Sequence, residues 1–157
     1  MTGLLSAAAI AAIGGLVFFL IGQSLPRGWF KPEKGIYRCF RWEKDGRIYL
    51  KLGVHRWKDA VPDMSRIVPG VFKKKAALAK DIKSMRRLIR ETCVAELIHW
   101  LLIIVITPMV FRAMRGFGGA AAAALYIIGN LVFIVIQRYN RPRLVAIYKR
   151  MEKRREK

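Results

Sequence analysis

The hydrophobic positions of this chain fall into three long blocks, at residues 3–22, 93–111 and 117–136. An α-helix rises about 1.5 Å per residue, so roughly 20 residues cross the apolar core of a bilayer. A cleaved signal peptide is the alternative for the first block, but no basic residue precedes that block. The pattern therefore predicts an all-α integral membrane protein with three transmembrane helices, organised as a single membrane domain over residues 1–157.

Two stretches of the loop 23–92 have patterns of their own. In 71–92, apolar residues recur at helical spacing among basic residues, which predicts an interfacial amphipathic helix that runs into the second transmembrane helix. In 36–54, β-prone residues flank Asp45-Gly46, which favours a short β-hairpin. A helix lying on the lipid surface is the alternative for the same residues.

The charges are strongly unequal, with 30 Lys+Arg against 10 Asp+Glu and a net charge of +20. Nineteen of the basic residues lie in 23–90 and nine in the tail 137–157. Because basic segments stay on the cytoplasmic side, we expect a multi-pass protein of the cell membrane with its N-terminus outside and with the loop 23–92 and the tail in the cytoplasm. The uncharged blocks argue against a nucleic-acid partner, and the anionic lipids of the inner leaflet are the expected polyanion.

Small residues recur four positions apart in the first and third blocks, as in Ala8 and Ala12, or Gly119 and Ala123. This spacing favours close approach of helices in lipid. Three helices bury little surface among themselves, so a homo-oligomer is compatible with the sequence.

Polar residues inside the second and third blocks are the first candidates for a site, because ionisable groups are costly in a membrane. Glu96 and His99 lie three residues apart on one helix face, and Asn130 lies at a matching depth in the third block, with Gln137 two turns later. We expect these faces to meet, with His99 as the general base and Glu96 orienting it. The alternative is a structural hydrogen-bond cluster. A single Glu-x-x-His motif does not make a metal site, and we expect no metal.

Two polar clusters lie outside the blocks. One is Trp57-Lys58-Asp59, and the other contains Arg138, Asn140, Arg141 and Arg143 after the third block. Arginines at an interface suit phosphate or carboxylate groups, which predicts substrate binding. The alternative is a snorkelling anchor that only orients the protein.

Three strings carry a resemblance: WKDAVPD at 57–63, ETCVAELIHW at 91–100, and N-x6-QRYNRPR at 130–143. Together they resemble the glycosyl-4,4'-diaponeurosporenoate acyltransferase family over roughly 36–144. The resemblance implies transfer of a fatty acyl group to a sugar hydroxyl of a glycosylated lipid or carotenoid. The family pattern falls on Trp57, Lys58, Asp59, Pro62, Glu91, Glu96, His99, Asn130, Gln137, Arg138, Asn140 and Arg141, and we include Glu91, Asn130 and Gln137 among the predicted substrate-binding residues.

Such a reaction needs a base, an acyl donor such as acyl-CoA or acyl-carrier protein as co-substrate, and no further cofactor. No serine or cysteine is an evident nucleophile, so we expect direct transfer without an acyl-enzyme. His55 competes with His99 as the base, although its His-x3-Asp spacing to Asp59 is one residue short of the His-x4-Asp motif of soluble-headed acyltransferases. A lipid-modifying methyltransferase or reductase, and a non-catalytic scaffold or lipid-binding protein, are the alternative functions.

Overall fold

The computed structural model describes residues 2–61 and 81–156. Six α-helices lie in these residues, joined in two places by 3-10 and π-helical turns. The 3-10 turns are Arg27–Trp29, Gly35–Tyr37 and Arg41–Glu43, and the π-helical turn is Leu102–Ile106. The helices are α1 (Thr2–Ser24), α2 (Ile48–Lys51), α3 (Val54–Trp57), α4 (Ile82–Leu101), α5 (Thr107–Met114) and α6 (Gly116–Arg155).

Three helical stretches have the length and the apolar composition to cross a membrane, which confirms the predicted fold class. They are Thr2–Ser24, Ile82–Met114 and Gly116–Arg155. The last stretch has 40 residues and is therefore about 60 Å long, twice the thickness of a bilayer core. Its basic C-terminal half continues the helix beyond the apolar block.

The predicted β-hairpin at 36–54 is wrong. Its residues form 3-10 turns and the short helix α2, and the structure contains no strand anywhere in 2–61 or 81–156. The turn itself exists, because Lys44, Asp45 and Gly46 all have positive φ, at 49°, 55° and 79°. Beside the turn, the Glu43 side chain accepts hydrogen bonds from Tyr49 and from Arg138 on α6, and no strand pairing forms in 36–54.

The predicted amphipathic helix is confirmed from Ile82 onward, and it continues into the second membrane-crossing stretch without a break. Residues 62–80, which include the first part of this prediction, lie outside the described residues. The π-helical turn follows, just before Pro108. A proline ring clashes with the carbonyl four residues earlier and cannot donate to it, and a wider turn accommodates that defect.

The described residues form two compact units. The first unit comprises 2–26 and 94–134, and the second comprises 27–61, 81–93 and 135–156. In the first unit α1 packs against the π-helical turn and α5. Gly14 makes this approach possible, because a Cβ there would lie 2.6 Å from Ile106 Cδ1.

Only part of the small-residue prediction holds. Ala8 and Ala12 are exposed, whereas Ala7, Gly14 and Gly22 are the buried positions of α1. Gly119 does lie against its neighbour, since a Cβ there would be 2.6 Å from the carbonyl oxygen of Phe111. A contact with a backbone atom cannot be relieved by a side-chain rotation, so this position requires glycine.

The second unit has a core of its own, formed where α4 meets α6. Met85, Leu88, Ile89 and Leu144 are buried there, with Tyr148 partly buried against them. Met85 and Ile89 belong to the apolar face of α4 that the sequence predicted, and Leu144 and Tyr148 are contributed by α6.

We expect Gly119→Ala to destabilise the protein by about 1–3 kcal/mol, the usual cost of forcing a methyl group into a packed contact. Gly129→Ala is the matched control, because it lies on the same helix and a Cβ there would have no neighbour within 4 Å. Thermal unfolding in detergent, followed by circular dichroism, measures the difference. Equal melting temperatures for the two variants would contradict the close approach at Gly119.

Candidate functional site

In the first unit, α4 and α6 bring His99 and Asn130 together. His99 Nδ1 lies 2.9 Å from Asn130 Oδ1. The imidazole also stacks on the ring of Phe133, with centroids 4.6 Å apart and planes 7° apart. Asn130 Nδ2 donates to the carbonyl of Tyr126 at 2.9 Å. The ring of His99 is therefore held by a hydrogen bond in its plane and an aromatic contact on its face.

Glu96 belongs to the same unit, one helical turn before His99, and its side chain is almost completely buried. Asn130 is also buried, while His99 is half-buried. A polar group in an apolar helix bundle is costly unless it is hydrogen-bonded. His99 and Asn130, which are hydrogen-bonded to each other, therefore form a candidate reaction centre, and Glu96 lies one turn earlier on the same helix as His99.

In the second unit, two arginines of α6 hold the loop that follows α1. Arg138 forms a bidentate pair with Glu43, with Nε 2.6 Å from Oε1 and Nη2 2.8 Å from Oε2. The same guanidinium donates to the carbonyls of Ile36, at 2.9 Å, and Arg38, at 3.2 Å. Arg138 thus binds the loop at three residues, Ile36, Arg38 and Glu43, with one side chain. We call this set of contacts a clamp.

Arg141 makes a second clamp, one turn further along α6. Its Nε donates to Thr92 Oγ1 at 2.8 Å, its Nη2 to the Thr92 carbonyl at 3.0 Å, and its Nη1 to the Tyr37 carbonyl at 2.9 Å. The side chain is buried. Arg141 therefore ties α6 to both α4 and the loop, in addition to the substrate-binding role that the sequence predicts.

Glu43 is a residue that the sequence interpretation missed. Its carboxylate is 1% exposed and accepts hydrogen bonds from Tyr49 Oη at 2.5 Å and the Phe40 N–H at 2.6 Å, as well as from Arg138. Burial opposes the charged form, but the hydrogen bonds from Arg138, Tyr49 and Phe40 outweigh it, so the pKa of Glu43 lies below its ordinary value. Burial and the neighbouring carboxylate raise the pKa of Tyr49.

A signal for Glu43 was present in the sequence. Only 10 of the 157 residues are acidic, against 30 basic ones. A carboxylate between aromatic residues in so basic a loop is expected to pair with a cation. The sequence alone does not identify that cation, because Arg138 lies 95 residues away along the chain.

Four other predicted residues lie in the second unit, and two of them, Glu91 and Arg143, have defined side-chain contacts. Glu91 forms a bidentate pair with Arg27, at 2.9 and 3.1 Å. Arg143 lies over the ring of Tyr139, with its Cζ 3.6 Å from the centroid. Gln137 is buried and Asn140 is half-buried on α6.

Trp57, Lys58 and Asp59 lie around the end of α3. Trp57 Nε1 donates to the Leu52 carbonyl at 2.9 Å, and Lys58 forms an exposed pair with Asp59 at 3.1 Å. Pro62 lies outside the described residues. His55 is exposed on α3.

Beside the two clamps, the second unit has a cleft of about 350 Å³. Arg138 and Arg141 contribute to its lining, as do the exposed residues Arg38 and Lys149, whereas Trp57, Lys58 and Asp59 do not. Acidic side chains are also present, notably Glu43 and Glu33. Glu43 is paired with Arg138, and the exposed Glu33 lies 3.7 Å from Lys149. The cleft is therefore a polar hollow with fixed guanidinium groups.

Comparison with known proteins gives one consistent result. Residues 26–150 match the family described as glycosyl-4,4'-diaponeurosporenoate acyltransferase. Proteins of that name from Staphylococcus aureus strains MRSA252 and N315 are each 28% identical to this chain, over 87% of the chain and 82% of their own length. No solved structure matches.

We expect Glu43→Gln to destabilise the protein by about 3 kcal/mol, because it leaves the Arg138 guanidinium without its buried counter-charge. The double variant Glu43→Gln/Arg138→Gln should recover part of this loss. Glu33→Gln is the matched control, since its carboxylate is exposed and its pair with Lys149 should contribute less than about 1 kcal/mol. Thermal unfolding in detergent measures all three, and a Glu43→Gln variant as stable as Glu33→Gln would disprove the clamp.

The same pair predicts a dependence on pH. The pKa of Glu43 is lower in the folded protein than in the unfolded chain, so its stabilising contribution is fully present above about pH 4.5 and is lost as pH falls below that value. Melting temperatures measured from pH 6 to pH 3 should fall less steeply in Glu43→Gln than in the parent protein. Parallel curves would show that Glu43 does not titrate differently on folding.

Proposed function

Because this chain belongs to the glycosyl-4,4'-diaponeurosporenoate acyltransferase family, we propose that it transfers a fatty acyl group to a hydroxyl of a glycosylated lipid or carotenoid in the cell membrane. The observation that carries the proposal is the location of His99. This histidine lies within the matched region, in a helical stretch apolar enough to cross a membrane, with the polar partner Asn130 on α6. A base placed in this way suits an acceptor that itself resides in lipid.

In the proposed reaction His99 takes the proton of the acceptor hydroxyl while the hydroxyl oxygen attacks the acyl carbonyl carbon. With a thioester donor such as acyl-CoA or acyl-carrier protein, a C–O ester bond forms and the donor's C–S bond breaks. The proton then passes from the imidazolium to the departing thiolate. Glu96, as a carboxylate on the same helix face, would stabilise the imidazolium between these two steps.

The polar cleft of the second unit is the proposed site for the phosphates of the acyl donor. Guanidinium groups bind phosphate through paired hydrogen bonds, and Arg138 and Arg141 are already fixed in position by carbonyl and carboxylate partners. The exposed cations Arg38 and Lys149 add positive charge at the same cleft. Rigid, preorganised donors lose little entropy when a ligand binds.

The test of the reaction compares two histidine variants. His99→Ala and His99→Gln should both lower acyl transfer by about 10²-fold or more, because neither side chain can accept a proton at neutral pH. The assay follows a radiolabelled acyl donor and glycosylated lipid acceptors with protein reconstituted in lipid vesicles. His55→Ala is the control and should retain full activity, since His55 is exposed on α3.

Three results would overturn the proposal. Full activity in His99→Gln together with loss in His55→Ala would move the base to the loop. Tolerance of His99→Gln with a lower melting temperature in His99→Ala would indicate a structural role. Absence of transfer by the parent protein with every acceptor would favour a scaffold or lipid-binding protein.

The proposed orientation has the N-terminus outside and the C-terminus in the cytoplasm, where donors carrying coenzyme A or carrier protein reside. The nine basic residues of 137–157 support it. We expect a C-terminal fluorescent-protein fusion to be fluorescent and a C-terminal alkaline phosphatase fusion to be inactive. The opposite pattern would place the tail outside and would exclude a cytoplasmic donor.

A further inference from the structure

The contacts of Asn130 determine which nitrogen of His99 carries a proton. A backbone carbonyl oxygen can only accept a hydrogen bond, so the side-chain atom that faces the Tyr126 carbonyl at 2.9 Å must be the amide nitrogen. The other end of the amide, directed at His99, is therefore the oxygen.

The amide oxygen also can only accept, and it lies 2.9 Å from His99 Nδ1. Nδ1 must therefore carry the hydrogen. A neutral imidazole carries only one ring hydrogen, so its other nitrogen, Nε2, has the lone pair. A single chain of donors and acceptors, from the Tyr126 carbonyl through Asn130 to His99, thus selects one tautomer.

The surroundings strengthen this selection. Asn130 is 7% exposed, so water cannot readily replace a lost partner. The ring of His99 is stacked on Phe133, which fixes the plane in which Nε2 is directed. The tautomer and the direction of the ring are therefore both set before any substrate arrives.

We propose that Asn130 is a positioning residue that holds His99 as the Nδ1–H tautomer and so makes Nε2 the atom that accepts the proton of the acceptor hydroxyl. This inference rests on the proposed function, and it gives Asn130 a different role from the substrate binding expected from its sequence. When Nε2 takes the proton, Nδ1–H still donates to Asn130, now from a charged ring and hence more strongly. Nε2 then releases that proton to the departing thiolate, and the tautomer is restored.

The first test reads the tautomer without any substrate. The chain has two histidines, so a His55→Gln background leaves His99 as the single signal in protein purified without a histidine tag. Nitrogen-15 chemical shifts of labelled histidine, above the titration of the ring, should show a protonated Nδ1 and an unprotonated Nε2. In Asn130→Leu, which keeps the size but removes both polar atoms, this preference should be lost.

The second test separates positioning from substrate binding. Asn130→Leu should lower kcat by about 10-fold or more with little change in KM, as a part of the 10²–10⁴-fold that a general base supplies. Asn130→Asp should recover part of that loss, because a carboxylate oxygen also accepts from Nδ1–H, whereas the hydrogen bond to the Tyr126 carbonyl is lost. A substrate-binding Asn130 predicts instead a raised KM and an unchanged histidine spectrum in Asn130→Leu.

The outcomes are distinct. A parent protein with Nε2 protonated overturns the inference, whatever its activity. An Nδ1–H tautomer that persists in Asn130→Leu also overturns it, because Asn130 then does not select the tautomer. An Nδ1–H tautomer that depends on Asn130, in a protein that transfers no acyl group, supports the assigned tautomer and overturns the proposed function instead.

Discussion

A polar side chain inside a membrane-crossing helix has no water to bond to, so its partner must come from the protein. This constraint accounts for the arrangement of the first unit. Asn130 satisfies its amide nitrogen on its own helix, at the Tyr126 carbonyl, and its oxygen on the neighbouring helix, at His99. A contact that stabilises the helix pair thereby also fixes a titratable ring, so the structural and the catalytic interpretations of this cluster describe the same hydrogen bonds.

In the second unit the same constraint applies to charged groups, which take their partners from the protein. Carboxylates are scarce in this basic chain, and two of the least exposed ones are paired bidentately with arginines, Glu43 with Arg138 and Glu91 with Arg27. Arg141, which binds carbonyl and hydroxyl oxygens, completes the attachment of the loop to α6. Gly46 permits the contact, because a Cβ there would lie 3.2 Å from the Tyr139 carbonyl oxygen. From the Arg-rich sequence alone, Arg138 and Arg141 would be assigned to the binding of lipid or phosphate. In the structure, their contacts hold the loop against α6.

The errors made from the sequence have specific causes. The hairpin around Asp45-Gly46 was predicted from local β propensity, but a strand needs a partner, and Glu43 is instead hydrogen-bonded to Tyr49 and to Arg138. Ala8 and Ala12 have the correct spacing for a helix contact and lie on the exposed side of α1. Periodicity identifies which residues share a face of a helix, but not which face meets a neighbour in lipid, where every face is apolar.

The membrane class, the three crossing helices, the amphipathic start of α4 and the shared face of Glu96 and His99 could all be predicted from the amino-acid sequence, because they depend on composition and on the pitch of a helix. Three contacts became visible only in the folded protein: the hydrogen bond from His99 to Asn130, the pairing of Arg138 with the buried Glu43, and the attachment of the loop to α4 through Arg141. These are contacts between residues 31 to 104 positions apart. No local pattern encodes them, since each depends on how separate segments pack and on which hydrogen-bonding partners remain when water is excluded.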